Sequence, residues 1–292
     1  MPLPNFLLVG AGKSATRSLY NYMIQHPDVY MPKFKEPQFF VAKEVKNRIQ
    51  KWVEEYDQYV KLFDGADGKK AIGEASVMYL FFYEEAIRNI QQYLGSDVKI
   101  MMILRHPAER AYSAYNFVRV NNPDEKYSFE QAMEKENERF NQHNSLFMQY
   151  RPMGLYASAV QAYLSNFRNV HIMWYDEFRK DPAHVLRGVF EFLGVNPDVT
   201  IDYTKRWNQG GKQWKNPLLR WLFMSDNPVK KMYKLFFRKR QGVRTNEFFT
   251  KNFMESTEPM DRATRGKLVD YYRNDIEQLS AITGRNLDDW LK

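Results

Sequence analysis

Short apolar runs alternate with longer amphipathic stretches along most of the chain. The runs are Phe6–Val9, Ala71–Gly73, Val98–Leu104 and Val170–Tyr175. Each ends at turn-forming or charged residues, and Ala71–Gly73 is the weakest. Continuous apolar runs of this length predict strands buried on both faces, hence a parallel sheet. Between them Thr16–Gln25, Glu84–Leu94, Ala108–Val118 and Leu155–Asn166 carry apolar residues three and four apart, which predicts helices. The alternation predicts an α/β fold, a parallel β-sheet flanked by helices. Asp181-Pro182 opens a further helix that Gly194 stops, and Thr264–Leu279 reads as one more amphipathic helix. Little strand signal follows Gly194, and residues 206–255 are basic, aromatic and irregular. They are expected to form a lid-like segment within a helical C-terminal cover. No repeat or low-complexity linker interrupts residues 1–292, so a single domain is expected.

The first strand runs straight into Gly10-Ala11-Gly12-Lys13-Ser14-Ala15-Thr16-Arg17-Ser18 and then into a helix. Unsatisfied N–H groups at a helix N-terminus, aided by the helix dipole, hold anions. Lys13 adds a charge, and Ser14, Thr16 and Ser18 add hydroxyl donors, so the segment reads as a phosphate cradle. A nucleoside-triphosphate loop of the form G-x-x-x-x-G-K-[ST] would need glycine at position 7, which is Leu7. An ordinary strand-to-helix turn with a surface lysine is the plain alternative.

The strand Val98–Leu104 ends in Arg105-His106-Pro107, and Ser113 lies on the helix that follows. Open α/β sheets bind ligands at the carboxyl ends of their strands. A guanidinium with a hydroxyl there makes a second phosphate grip, and Pro107 suits a first helical turn. A kinase-like site would more often end this strand in an aspartate for magnesium. Asp176, after the strand Val170–Tyr175, is the carboxylate that keeps this alternative open, and it is expected instead to cap the next helix or turn.

Composition narrows the chemistry. The chain has no cysteine and five scattered histidines, which argues against disulfides, thiolate catalysis and a zinc site. A formal net charge of +8 favours an anionic partner. No apolar run reaches membrane-span length and the N-terminus lacks a basic leader pattern, so a cytoplasmic protein is expected.

The order Gly-x-Gly-Lys-Ser-x-Thr-x-Ser, then Lys35-Glu36-Pro37-Gln38-Phe39-Phe40, then Leu104-Arg105-His106-Pro107-x-x-Arg110-x-x-Ser113 resembles sulfotransferases dependent on 3′-phosphoadenosine 5′-phosphosulfate (PAPS). The likeness is greatest to the branch holding heparan sulfate sulfotransferase domains and many bacterial enzymes. Gly73-Glu74-Ala75-Ser76, Gly154-Leu155-Tyr156 and the ending Leu279–Leu291 extend it over nearly the whole chain. The resemblance implies a P-loop-like fold and PAPS as co-substrate with no metal required. It implies that Gly12, Lys13, Ser14, Ala15, Thr16, Arg17 and Ser18 hold the 5′-phosphosulfate and that Arg105 and Ser113 hold the 3′-phosphate. Tyr156 and the segment with Gly211 and Lys212 would lie near the nucleotide. Arg17 stands where the family commonly has a second hydroxyl residue.

In the same pattern Glu36 matches the residue that takes the acceptor's proton. Pro37 predicts an extended backbone at Glu36, and Phe39 and Phe40 are expected to anchor the segment. Apolar walls raise a carboxyl's pKa, which suits a general base. The plain alternative is a surface Lys35–Glu36 pair. Glu74 is a reserve base or acceptor ligand with Ser76 beside it, and Phe39 is a candidate acceptor contact. His26 and His106 are further candidate bases, with His106 expected to be structural. The acceptor would be a small molecule or a saccharide, with nucleic acid not expected as a partner and the oligomeric state unread. Two other functions remain open: an ATP-dependent nucleotide or metabolite kinase, and a polyanion-binding protein without catalysis. For residues 206–255 the readings are a lid, a solvated helix with one apolar face, or a segment for membrane surfaces or polyanions.

Overall fold

β1 (Phe6–Gly10) is buried along its whole length, and its alternate residues feed two separate cores. Leu7 and Val9 pack in one, Phe6 and Leu8 in the other, because successive strand side chains point to opposite faces. β4 (Lys99–Leu104) splits the same way: Ile100, Met102 and Leu104 against Met101 and Ile103. A computed structural model describes residues 2–122, 124–142, 145–204, 212–216 and 254–292. With β2 (Val29–Tyr30), β3 (Ala71–Ala75) and β5 (Val170–Trp174), the sheet has the order β2-β3-β1-β4-β5, and every pairing is parallel. β1 and β4 therefore end side by side.

The helices Thr16–Met23 and Pro182–Leu193 cover one face through Leu19, Met23, Leu186 and Phe190. Tyr83–Leu94, Pro107–Asn121, Ala157–Asn166 and Arg262–Thr283 cover the other through residues such as Ile87, Ala111, Val160 and Tyr272. The last of these helices is the described part of the C-terminal cover. Gly194 stops its helix with a left-handed backbone.

Three features depart from the sequence reading. β2 has only two residues and was too short to register. A two-stranded antiparallel ribbon, β6 (Lys212–Trp214) with β7 (Met254–Ser256), stands where no strand was expected. Asp176 does not cap: it sits in the first turn of Tyr175–Lys180, and Asp181 caps the following helix by accepting from the His184 N–H at 3.0 Å. Most of the lid-like segment 206–255 lies outside the described residues. Among the described residues no helix is long and apolar enough to cross a membrane.

Candidate active site

The loop after β1 folds into a cradle because its backbone turns left-handed twice, at Lys13 (φ 71) and Ala15 (φ 67). No side chain caps the helix that starts at Thr16, and a helix N-terminus is the end that favours an anion. Gly12, Lys13, Ala15, Thr16, Arg17 and Ser18 all line one cavity of about 1110 Å³. Ser14 does not: it is fully buried, and its Oγ has no hydrogen-bond partner.

The second cradle touches the first. Arg105, at the end of β4, donates from Nη1 to the Lys13 carbonyl at 3.2 Å and stacks its guanidinium 4.6 Å from the Tyr175 ring. Ser113 lines the same cavity. Tyr156 is buried behind them and donates from its hydroxyl to the Arg105 carbonyl at 3.1 Å. Among the described residues, Lys13, Arg17 and Arg105 form no salt bridge. Burial, with Arg105 and Arg110 adding repulsion, lowers the Lys13 ammonium to about 8. A cavity with this much uncompensated positive charge fits an anion bearing several charges.

Glu36 lines the cavity too. Its backbone is left-handed (φ 64), not extended, and its side chain is 29% exposed with Lys35 Nζ 2.6 Å away. The apolar enclosure expected around Glu36 is found at Glu74 instead. Glu74 is 1% exposed, accepts from the Ser76 hydroxyl at 2.8 Å and the Tyr79 hydroxyl at 2.7 Å, and is pushed up to about 7 by burial. Neither Glu74 nor Ser76 reaches the cavity wall, which Glu36, Gln38 and Val77 form there. Phe39 is core as well, stacked on Tyr59 with centroids 4.3 Å apart. His106 caps the helix Pro107–Asn121 by accepting from the Ala108 N–H at 3.2 Å. Burial with Arg265 and Arg105 holds its imidazole near 4. The buried His26 ring bridges the Asp28 N–H and the Asn196 carbonyl.

A family model for the sulfotransferase domain matches residues 3–274. The chain belongs to the sulfotransferase family. This family uses PAPS as its sulfuryl donor. A crystal structure of a sulfotransferase from Alicyclobacillus acidocaldarius superposes with a TM-score of 0.78 at 31% identity, covering 100% of both chains. Human bifunctional heparan sulfate N-deacetylase/N-sulfotransferase 3 is 27% identical over 99% of this chain but only 31% of its own length, so the chain spans about a third of that relative. Membrane-associated sulfotransferase kil1 of Dictyostelium discoideum is 32% identical over 46% of this chain.

In this sulfotransferase several residues assigned no role from the sequence line the cavity. Arg110 is 1% exposed and donates to the Tyr150 carbonyl, with its Nε left without a partner. Phe117 lies under Lys13 Nζ, 4.0 Å from the ring centroid, and its ring meets Phe147 at 6.4 Å. Arg110, Ser113 and Phe117 are spaced three and four apart on one helix face, a signal that was present in the sequence. Phe81 and Phe147 come from other elements and left no such signal. Gly211 lies outside the described residues, and Lys212 opens β6.

Proposed function

We propose that this sulfotransferase moves the sulfuryl group of PAPS in line onto a hydroxyl or amine of a small, largely apolar acceptor, releasing adenosine 3′,5′-bisphosphate. The observation that carries the reading is the joining of the two cation cradles: the Arg105 guanidinium is hydrogen-bonded to the Lys13 carbonyl, at the adjacent ends of β1 and β4. One molecule with anionic groups at two ends satisfies both at once. Lys13, Thr16, Arg17, Ser18 and the loop amides take the 5′ end, and Arg105 and Ser113 take the 3′-phosphate. PAPS supplies an activated sulfuryl group, whose bond to the 5′-phosphate oxygen breaks as the acceptor's bond to sulfur forms. Lys13 and the loop amides stabilise charge on the departing oxygen, so the reading calls for no metal. Glu36, on the cavity wall, receives the acceptor's proton.

The acceptor class is read from the rest of the cavity. Its volume of about 1110 Å³ exceeds the roughly 300–1,000 Å³ of a cleft for one drug-sized ligand, leaving room beside a nucleotide. Ile49, Phe81, Phe117, Phe147 and Met153 line it, and Phe117 and Leu155 are 38% and 43% exposed there. Such an apolar wall favours a ring-bearing small molecule over a saccharide.

Thermal shift tests the donor. Adenosine 3′,5′-bisphosphate should stabilise the protein, and ATP with magnesium or heparin should do so less. Stabilisation by ATP with magnesium alone would remove the sulfotransfer reading. Glu36→Gln should bind adenosine 3′,5′-bisphosphate normally and transfer poorly, and wild-type turnover would take Glu36 out of the mechanism.

A further inference from the structure

The segment carrying Glu36 is held in a conformation it would not adopt alone. Glu36 and Gln38, on either side of Pro37, both have left-handed backbones, with φ of 64 and 55. Residues with a Cβ disfavour that region. On one side the Pro37 carbonyl takes the Val53 N–H at 2.8 Å. On the other, the end of β3, the turn after it and the short helix Met78–Phe81 meet the segment three times. The Glu36 N–H donates to the Ala75 carbonyl at 3.1 Å, the Gln38 N–H to Ser76 Oγ at 3.0 Å, and the Phe40 N–H to Tyr79 Oη at 3.4 Å.

Two of those three acceptors are hydroxyls, which can rotate. Each has a single proton, and where that proton points decides where the lone pairs face. Both protons go to Glu74: Ser76 Oγ donates to Oε2 and Tyr79 Oη to Oε1. One carboxylate thereby turns both hydroxyl oxygens toward the loop amides. The carboxylate gives each hydroxyl an oxygen of its own. Glutamine has one oxygen, and leucine has none. A fully buried carboxylate is costly to keep, and Glu74 has no access to the cavity through which it could meet a substrate.

We propose that Glu74 is a positioning residue for Glu36: acting through Ser76 and Tyr79, it fixes the Gln38 and Phe40 amides and so the direction in which the Glu36 carboxylate enters the cavity. The inference rests on Glu36 being the base, and the experiment separates the two.

At pH 8, where Glu74 is ionised, in protein saturated with adenosine 3′,5′-bisphosphate, hydrogen exchange is followed at the Gln38 and Phe40 amides. Glu74→Gln should speed both, and Ser76→Ala should speed Gln38, by about tenfold, the loss of one buried hydrogen bond. Affinity for the nucleotide should stay within about twofold. With labelled PAPS and 2-naphthol as probe acceptor, kcat should fall about tenfold or more in both variants while KM for PAPS holds, and Ser76→Thr should restore it. Unchanged exchange in both variants overturns the proposal. So does a fall in kcat matched by an equal loss of nucleotide affinity, which general damage to the fold would produce. Glu36→Gln turning over at the wild-type rate defeats the base assignment itself, whatever the exchange data show about the clamp.

Discussion

Glu74 also sets a pH dependence of stability that a single isosteric change should remove. Its carboxyl is raised from the ordinary 4.5 to about 7, with burial as the main cause and the Tyr79 and Ser76 hydroxyls acting the other way. The sign follows from proton counting. Between those two values the folded chain holds a proton that the unfolded chain has released, so stability falls as pH rises across the interval. Below 4.5 the group is neutral in both states and contributes nothing; above about 7 the buried charge is a constant penalty. At ~1.36 kcal/mol per unit, the penalty is about 3 kcal/mol. Glu74→Gln is neutral at every pH and, like the protonated carboxyl, keeps one free oxygen for the two hydroxyls, so it matches the acid form of the wild type. The variant should therefore match the wild type near pH 4.5 and be more stable by ~3 kcal/mol at pH 8. At ~2 °C per kcal/mol for a chain of this size, the melting temperatures should meet at low pH and differ by ~6 °C at pH 8. Chemical denaturation of both proteins across this range checks it. Other carboxyls raised by burial, Glu136 and Asp275, cancel in the difference. Parallel curves would refute the placement of a charged, dry Glu74 in the fold.

Other perturbations reach the cradle and the core. Lys13→Ala should abolish transfer, and in the wild type an anion at the cradle should raise the lysine back from about 8. Adenosine 3′,5′-bisphosphate binding near pH 8 should thus take up protons, read by calorimetry in two buffers of different ionisation heat; proton release would contradict it. Arg105→Ala should weaken nucleotide affinity, since the guanidinium both faces the cavity and braces the Lys13 carbonyl. Phe117→Ala should raise KM for 2-naphthol more than for PAPS in steady-state kinetics. Gly73→Ala should cost ~2–3 kcal/mol in a denaturant titration, because a Cβ there would overlap the Phe6 ring across the β1–β3 pair, and Phe6→Leu should recover part of it.

What could be read from the sequence was what is contiguous in it. β1 and β4 announced themselves because strands covered on both faces have no polar side to break the run. The first cradle was legible for a related reason: strand, loop, lysine and helix follow one another without a gap. β6 and β7 pair Lys212 with Ser256, and no local pattern reports a partner that distant. The two carboxylates show the same limit at the site. Glu36 precedes a proline and two phenylalanines, which suggested an extended, apolar setting; the 3₁₀ turn Phe39–Val41 instead carries both rings into the core, leaving Glu36 at the cavity beside Lys35. Glu74 ends a short, weak strand and looked able to reach a substrate. Its depth is set by Tyr79, Ser76 and the loop from another part of the chain, all closing over it. Proximity in sequence located both acids, but only the packing of β3 against the Glu36 segment decides that one lines the cavity and the other lies dry and out of its reach.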